Sequence, residues 1–523
     1  MADARPMNVV SLLRATAERV PTKTALVMPD GRSLAFDELW DRVCRVSAGL
    51  RAAGLRPGNR MVVMVPMSME LYVILLGIIK TGAVAVFVDP WMSMRKIAQF
   101  AAFAEPAGFA GVGRSHLLRL WEPALRNLPI TVTTGIHICG FPARYRLANL
   151  LSAPPNEDIW QPPTDDAPAL ITFTSGSSGI PKGANRTHGF LAAQHEALGA
   201  EYHYDEADID MPMFPVFALR NLADGIPSVI PAVDFRRIGE AKGELLLAQI
   251  ARHGVRTCTA SPPFIDCLAE AARSTARNPA LRRILTGGAP VTNDQLARWR
   301  CAFPDTVITV VYGSTEAEPV ASISLEERLE AEGEGFCTGR PIAAIQARLV
   351  RIERGPIAFR SWEALAPQDD RIGELVVSGR HVCRDYFRNP GAVAENKIID
   401  ADGRCWHRMG DTGYLDAQGR FWLVGRVHST ITCKGAPLHA QLLEARIAAR
   451  APRATRIAVL ESDGRIVVVV QGSPVPGLLE QLRSDGIPAD DLVYCLEPLP
   501  LDPRHQSKID YAQLRQLLAG GRR

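Results

Sequence analysis

The stretch with the most chemistry is Thr174-Ser175-Gly176-Ser177-Ser178-Gly179-Ile180-Pro181-Lys182-Gly183, which directly follows the apolar run Ala169-Leu170-Ile171-Thr172-Phe173. Small residues let backbone N–H groups crowd around phosphate oxygens, hydroxyl side chains add donors, and Lys182 adds a point charge. The spacing differs from the G-x-x-x-x-G-K-[ST] phosphate loop, because Lys182 is followed by Gly183. The segment therefore predicts nucleotide handling on a different fold.

A loop of this kind needs a strand to launch it and a sheet to hold that strand. Helical periodicity runs over Phe36 to Gly54, a strand-like run over Met61 to Val65, a helix over Ser68 to Ile79 and a strand over Ala83 to Val88. The alternation resumes after the loop with helix Leu245 to His253, strand Val255 to Thr259, helix Pro262 to Ala276, strand Ile284 to Thr286, helix Asn293 to Phe303 and strand Val307 to Val311. Such grammar predicts mostly parallel, buried sheets flanked by helices. From Ala343 to about Val424 the segments become shorter and β-rich, which predicts a β subdomain over about 343–424. The expected organisation is an α/β large N-terminal domain, 1–424, and a small α+β C-terminal domain, 425–523, with a strand-turn-strand over Arg456 to Gly472 and a final helix from Asp510.

The 523 residues allow roughly two to four domains at about 150 residues each. Lys and Arg exceed Asp and Glu by only three, which argues against a nucleic-acid or membrane-surface partner. The ten cysteines are scattered singly with no metal-ligand spacing, as in a reduced cytoplasmic protein. The N-terminal Met1-Ala2-Asp3-Ala4-Arg5-Pro6 lacks an apolar signal core. The longest apolar stretch, Leu71 to Val88, is split by Lys80-Thr81-Gly82, so no membrane span is expected.

Downstream of the loop stand Gly287-Gly288-Ala289-Pro290, Tyr312-Gly313-Ser314-Thr315-Glu316, Gly373-Glu374-Leu375, Gly410-Asp411-Thr412-Gly413-Tyr414, Gly425-Arg426 and a late lysine, Lys508, within Pro500 to Ile509. With the loop, this ordered set resembles the adenylate-forming superfamily of acyl-CoA synthetases, peptide-synthetase adenylation domains and luciferases, over nearly the whole length. The resemblance implies that a carboxylic acid attacks the α-phosphorus of ATP and that pyrophosphate leaves. It assigns Thr174, Ser175, Gly176, Ser177, Ser178, Gly179 and Lys182 to the β- and γ-phosphates, Thr315 to the α-phosphate, and Glu316 to Mg²⁺. Gly288, Ala289 and Pro290 would border the adenine, with Tyr312 and Gly313 beside it. Asp411 would accept from the ribose hydroxyls, supported by Arg426. Lys508 would neutralise charge on the reacting groups, and His188 would line the carboxylate side.

The acceptor of the adenylate decides the activity. The segments Asp210 to Leu219, Ser228 to Asp234, Trp406 to Asp411 and Pro503 to Ile509 look most like the β-lactone synthetases of bacterial olefin biosynthesis, whose substrate's own hydroxyl displaces AMP. The alternative acceptor is CoA, with Gly435 as the small residue a pantetheine tunnel requires, although Val427-His428-Ser429 departs from the acidic hinge common in CoA ligases. Phe214, Phe217, Ala218 and Leu219 form an apolar cluster suited to an acyl chain. A pathway-enzyme or carrier-protein partner fits either branch, and a catalytically inactive docking module is the reading from a different class.

Overall fold

The computed structural model describes the chain except residues 1–5, 89–93, 136–142, 175–180, 236, 276–278, 368–371, 434–435, 449, 452–453, 455, 502–508 and 520–523. Most of the glycine loop, Gly435 and Lys508 thus lie outside the described residues.

The helix Met69–Lys80 shows how the sequence builds the first sheet. Ser68 caps it by accepting from the Leu71 N–H, and apolar residues on every face bury it. It ends at Thr81-Gly82, where Gly82 has φ +84° and a Cβ would come 2.4 Å from the Trp160 ring, so only glycine fits. The chain then enters strand Val84–Phe87, parallel to Arg60–Met64. Seven strands form this sheet, in the order Tyr145–Arg146, Ile130–Thr133, Gly108–Gly111, Arg60–Met64, Val84–Phe87, Pro168–Thr174 and Lys182–Thr187. The last pair is antiparallel, with Thr174 opposite Lys182, so the glycine loop is the connection of a hairpin.

The second sheet has fourteen strands. Its parallel part includes Asp210–Pro212, Thr257–Ala260, Arg283–Gly287 and Val307–Ser314. From Val307–Ser314 onward the strands turn antiparallel through Ala317–Ser324, Phe336–Pro341, Phe421–Arg426, Cys405–Leu415, Gly373–Ser378 and Gln346–Val350. The β-rich segment expected as a subdomain therefore continues the main sheet edge-on. Thr174, Gly287 and Ser314 all close strands at the ends from which ligand-binding loops emerge in α/β sheets.

The expected boundary after Val424 falls inside a strand. Arg426 opposes Asp411 and Gly425 opposes Thr412, so Val427 is the first residue beyond the sheet. After it come the hairpin Thr430–Cys433 and Ala436–His439, a three-stranded sheet of Arg456–Ser462, Arg465–Gln471 and Asp491–Cys495, and helices Ala440–Ala448, Leu478–Ser484 and Tyr511–Ala519. Ile431, Leu443, Ile447, Val459, Val468 and Leu482 form a core there that shares no member with the cores of the larger part.

Glu444 is a buried carboxyl in this C-terminal unit. It accepts from the Val459 N–H at 2.9 Å and from the Tyr511 hydroxyl, and burial pushes it up from 4.5 to about 7. A folded-state pKa above the unfolded one favours folding fully below pH 4.5, and the gain is lost as pH rises through about 7. The local loss is up to about 1.4 kcal/mol per pH unit in that window. Glu444→Gln is expected to flatten the pH dependence of hydrogen-exchange protection in Arg465–Gln471, after correction for intrinsic exchange. An unchanged slope would contradict this assignment.

Among the described residues, no helix is long and apolar enough to cross a membrane. Cys44, Cys258, Cys337, Cys383 and Cys405 are buried free thiols.

Candidate active site

Strand pairing brings three of the expected residues together. Asp411 and Arg426 are cross-strand partners, with Arg426 Nε 2.6 Å from Asp411 Oδ1, and the Tyr312 hydroxyl donates to Asp411 Oδ2 at 2.6 Å. Asp411 is only 2% exposed, and Oδ1 has no other polar partner. A carboxylate offers about four acceptor positions, so two remain for the hydroxyls of a sugar. Burial, reinforced by the adjacent Asp411 charge, raises the Tyr312 hydroxyl well above its ordinary range and keeps it a donor.

Glu374 explains how Asp411 is held. Its side chain and that of Arg408 form a buried ion pair at 2.6 Å, and its other oxygen accepts from the Gly410 N–H at 3.2 Å. Gly410, at φ +67°, makes the bend that presents Asp411. Arg408 also donates to the carbonyls of Glu353, Gly355 and Glu395, so its guanidinium is fully employed.

Glu316 lies just past strand Val307–Ser314. Its Oε1 accepts from the Tyr386 hydroxyl at 3.0 Å. Burial pulls the carboxyl upward, but basic neighbours His407 and Lys397 and the Tyr386 hydroxyl outweigh it, and the net direction is down. Burial and Lys397 push His407 itself down to about 3, against the opposing pull of Glu316. The Glu316 carboxylate is a hard oxygen donor of the type a divalent cation takes, and among the described residues no group of three His, Cys, Asp or Glu side chains stands ready to hold a metal ion.

The remaining expected nucleotide residues frame these two clusters. Lys182 Nζ is 3.6 Å from Glu395 Oε2. The Thr315 carbonyl accepts from Arg186 at 2.8 Å. A Cβ on Gly287 would come 2.3 Å from the Val311 carbonyl oxygen, and one on Gly313 2.8 Å from that of Ala317, so both glycines permit close strand packing. Gly288 takes φ +84° at the exposed end of its strand, followed by the half-buried Ala289 and Pro290. Thr174 is described by its backbone alone, and Ser175, Gly176, Ser177, Ser178, Gly179 and Lys508 lie outside the described residues.

His188 is fully buried at the start of helix His188–Glu201, its Nδ1 accepts from the Val9 N–H at 3.2 Å, and its ring packs 6.1 Å from that of Trp160. Burial lowers it to about 4, and its Nε2 has no hydrogen-bond partner among the described residues. The four acyl-cluster residues stand at the start of one helix, with Phe214 at its N-cap and Phe217, Ala218 and Leu219 within Pro215–Asp224. Phe214 and Phe217 pair at 6.1 Å, Ala218 is core, and Leu219 joins Leu13, Leu76, Leu191, Leu198 and Val216 around an apolar cavity of about 70 Å³.

Tyr386, Lys397, His407 and Glu395 were not singled out in the sequence. Tyr386 sits in Cys383 to Pro390, where no periodicity or spacing marks it, and His407 was visible only as a neighbour of Asp411.

Comparison with known proteins gives a concordant result. The family model for AMP-binding enzymes matches residues 13–387. The olefin beta-lactone synthetase of Stenotrophomonas maltophilia is 32% identical over 552 aligned residues, covering 98% of this chain and 98% of the relative. The 4-coumarate–CoA ligase-like 2 of Arabidopsis thaliana is 25% identical, covering 80% of this chain and 73% of the relative. Among solved structures, the amide bond synthetase McbA from Marinactinospora thermotolerans superimposes with a TM-score of 0.78 over 97% of this chain and 99% of its own, at 20% identity, a likeness of fold alone.

Proposed function

Because the chain belongs to the AMP-binding enzyme family and is an ATP-dependent acid-activating ligase, we propose that its acid is a β-hydroxy fatty acid and its product a β-lactone. The observation that carries this reading is the 32% identity to an olefin beta-lactone synthetase, which extends through the C-terminal unit as well as the family-matched region.

In the first half-reaction a substrate carboxylate oxygen bonds to the α-phosphorus of ATP, and pyrophosphate leaves. Asp411 takes the ribose hydroxyls while Tyr312 and Arg426 hold its carboxylate in place. Lys182, at the foot of the glycine loop, supplies positive charge to the β- and γ-phosphates. Glu316 would hold Mg²⁺ through a carboxylate oxygen, and the ion would supply charge neutralisation on the phosphates. Lys508, on a mobile C-terminal lid pivoting at Val427-His428-Ser429, reaches the reacting carboxylate and α-phosphate. In the second half-reaction the substrate's own hydroxyl oxygen bonds to the acyl carbon, the acyl–phosphate C–O bond breaks, AMP leaves and the hydroxyl proton passes to solvent. Phe214, Phe217 and Leu219 line the way for the chain toward the cavity behind them.

Transfer to CoA is the second reading, favoured by the CoA-ligase relative at 25% identity. An inactive docking module is the least supported, since Lys182, Glu316, Asp411 and Lys508 are all retained. ATP–pyrophosphate exchange with a panel of fatty acids, with and without a 3-hydroxyl, tests the proposal. The 3-hydroxy acids are expected to support the fastest exchange, and indifference to the hydroxyl would favour the CoA reading.

A further inference from the structure

We propose that Tyr386, backed by Lys397, is a positioning residue that sets which oxygen of Glu316 faces the metal–phosphate unit of the nucleotide. The inference rests on the acid-activating reading and adds residues to that site.

A glutamate carboxylate turns easily about its last torsion, because that torsion has a broad, two-fold profile. In this protein the turn is blocked. The Tyr386 hydroxyl donates to Oε1 at 3.0 Å and so fixes which way the carboxylate plane turns. Tyr386 is fixed in its turn. Its backbone bridges to Ala184, two residues from Lys182, so the same residue touches the strand that leaves the glycine loop. The Lys397 ammonium lies 5.2 Å from the centre of the Tyr386 ring and donates to the Cys383 carbonyl, and it is only 5% exposed.

The neighbouring backbone ties the same elements together. The Cys383 N–H donates to the Glu316 carbonyl at 2.7 Å, the Phe387 N–H donates to the Gly183 carbonyl at 2.8 Å, and Asn389 Nδ2 donates to the Pro181 carbonyl at 3.1 Å. One segment, Cys383 to Asn389, therefore holds the main chain of Glu316, its side chain and the exit of the phosphate loop. A carboxylate whose second oxygen is already occupied presents one donor in one direction, which suits a cation that demands near-octahedral geometry. Removing the phenol frees the carboxylate to rotate, and the cost falls on nucleotide binding only when the metal accompanies it.

The test is Tyr386→Phe in the full chain, read by calorimetry of α,β-methylene-ATP with and without Mg²⁺. The Kd with Mg²⁺ is expected to rise about tenfold, the range of one charge-assisted hydrogen bond, while the Kd without Mg²⁺ stays unchanged. Lys397→Met, which withdraws the support behind the ring, is expected to move the Mg²⁺-dependent Kd in the same direction by about threefold. Equal weakening with and without Mg²⁺ would show a merely structural role and overturn the proposal, as would no change in either. Glu316→Gln serves as the reference and is expected to remove most of the Mg²⁺ enhancement. Full enhancement in that variant would overturn the metal role of Glu316 and this proposal with it. Failure of the wild-type chain to exchange pyrophosphate with any acid would instead count against the acid-activating reading, while the binding difference still decides the role of Tyr386.

Discussion

Lys508→Ala is expected to slow adenylation by about two orders of magnitude or more while leaving ATP affinity nearly unchanged. In the proposed mechanism this lysine arrives with the C-terminal unit to meet the reacting carboxylate and α-phosphate, where charge develops only as the bond forms. Interactions made in the transition state and absent from the ground state appear in the rate and not in binding. A hundredfold loss corresponds to about 2.7 kcal/mol, within the range for one positioned charge in a water-excluded site. The residues assigned to the nucleotide in this account, Asp411 within strand Cys405–Leu415, Lys182 at the start of Lys182–Thr187 and Glu316 just past Val307–Ser314, all belong to the larger part, so its affinity is set without Lys508. Single-turnover pyrophosphate release and a separate nucleotide Kd distinguish the two effects. Rates near wild type would remove Lys508 from catalysis.

Arg408→Met is expected to be the most damaging substitution for stability, by about 3–5 kcal/mol, because it removes one partner of a buried ion pair and strands the other. The side chains of Arg408 and Glu374 are 5% and 1% exposed. Burial already lifts the Glu374 carboxyl above its usual range against the opposing pull of Arg408. With Arg408 gone that lift grows, so protonation becomes the easier state and acidification is expected to restore part of the loss. The sign is thus a variant whose deficit shrinks as pH falls from 8 toward 5. Pairing the change with Glu374→Met should recover most of the stability, since no buried charge is left without a partner. Activity should not recover with it, because Glu374 also holds the Gly410 N–H behind Asp411. Denaturant midpoints for the two variants, measured at both pH values, decide the matter. A single variant with a deficit below 1 kcal/mol, or one whose deficit grows on acidification, would refute the reading of the pair.

The helices and strands around the parallel parts of both sheets were legible in the chain because local pattern decides them. The expected helix Ser68 to Ile79 forms as Met69–Lys80, and the break at Lys80-Thr81-Gly82 is the turn it looked like. The expected strand Val255 to Thr259 forms as Thr257–Ala260, a shift of the size that local reading leaves open. The fate of the β-rich segment was not legible. Whether Phe421–Arg426 pairs with Phe336–Pro341 or starts a new unit depends on partners far along the chain, and Gly425-Arg426 has turn-like composition yet ends inside a ladder.

The site divides in the same way. Asp411, Tyr312, Glu316 and Arg426 stand in recognisable motifs, because each motif has its own spacing. Their mutual bonds are a product of folding: Tyr312, expected beside the adenine, spends its hydroxyl on Asp411. Tyr386 and Lys397 reach Glu316 from segments that carry no motif, His407 comes from the stretch leading into Asp411, and only the packed sheet brings them together. His188 stands beside a recognisable motif, and its bond from the Val9 N–H, far along the chain, is likewise a product of folding.

The most direct test of the central claim is the product formed from a 3-hydroxy fatty acid, ATP and Mg²⁺ with no CoA present. Ring closure strains the four-membered product, so the leaving group must drive it, and holding the hydroxyl oxygen against the activated carbonyl contributes an effect potentially worth about 7–11 kcal/mol. Mass detection should show AMP and a neutral lactone in equal amounts, with acids lacking the 3-hydroxyl giving no acyl product beyond the adenylate. A product that appears only when CoA is added, or thioesters formed from acids without the hydroxyl at least as fast, would contradict the lactone reading and favour the CoA ligase.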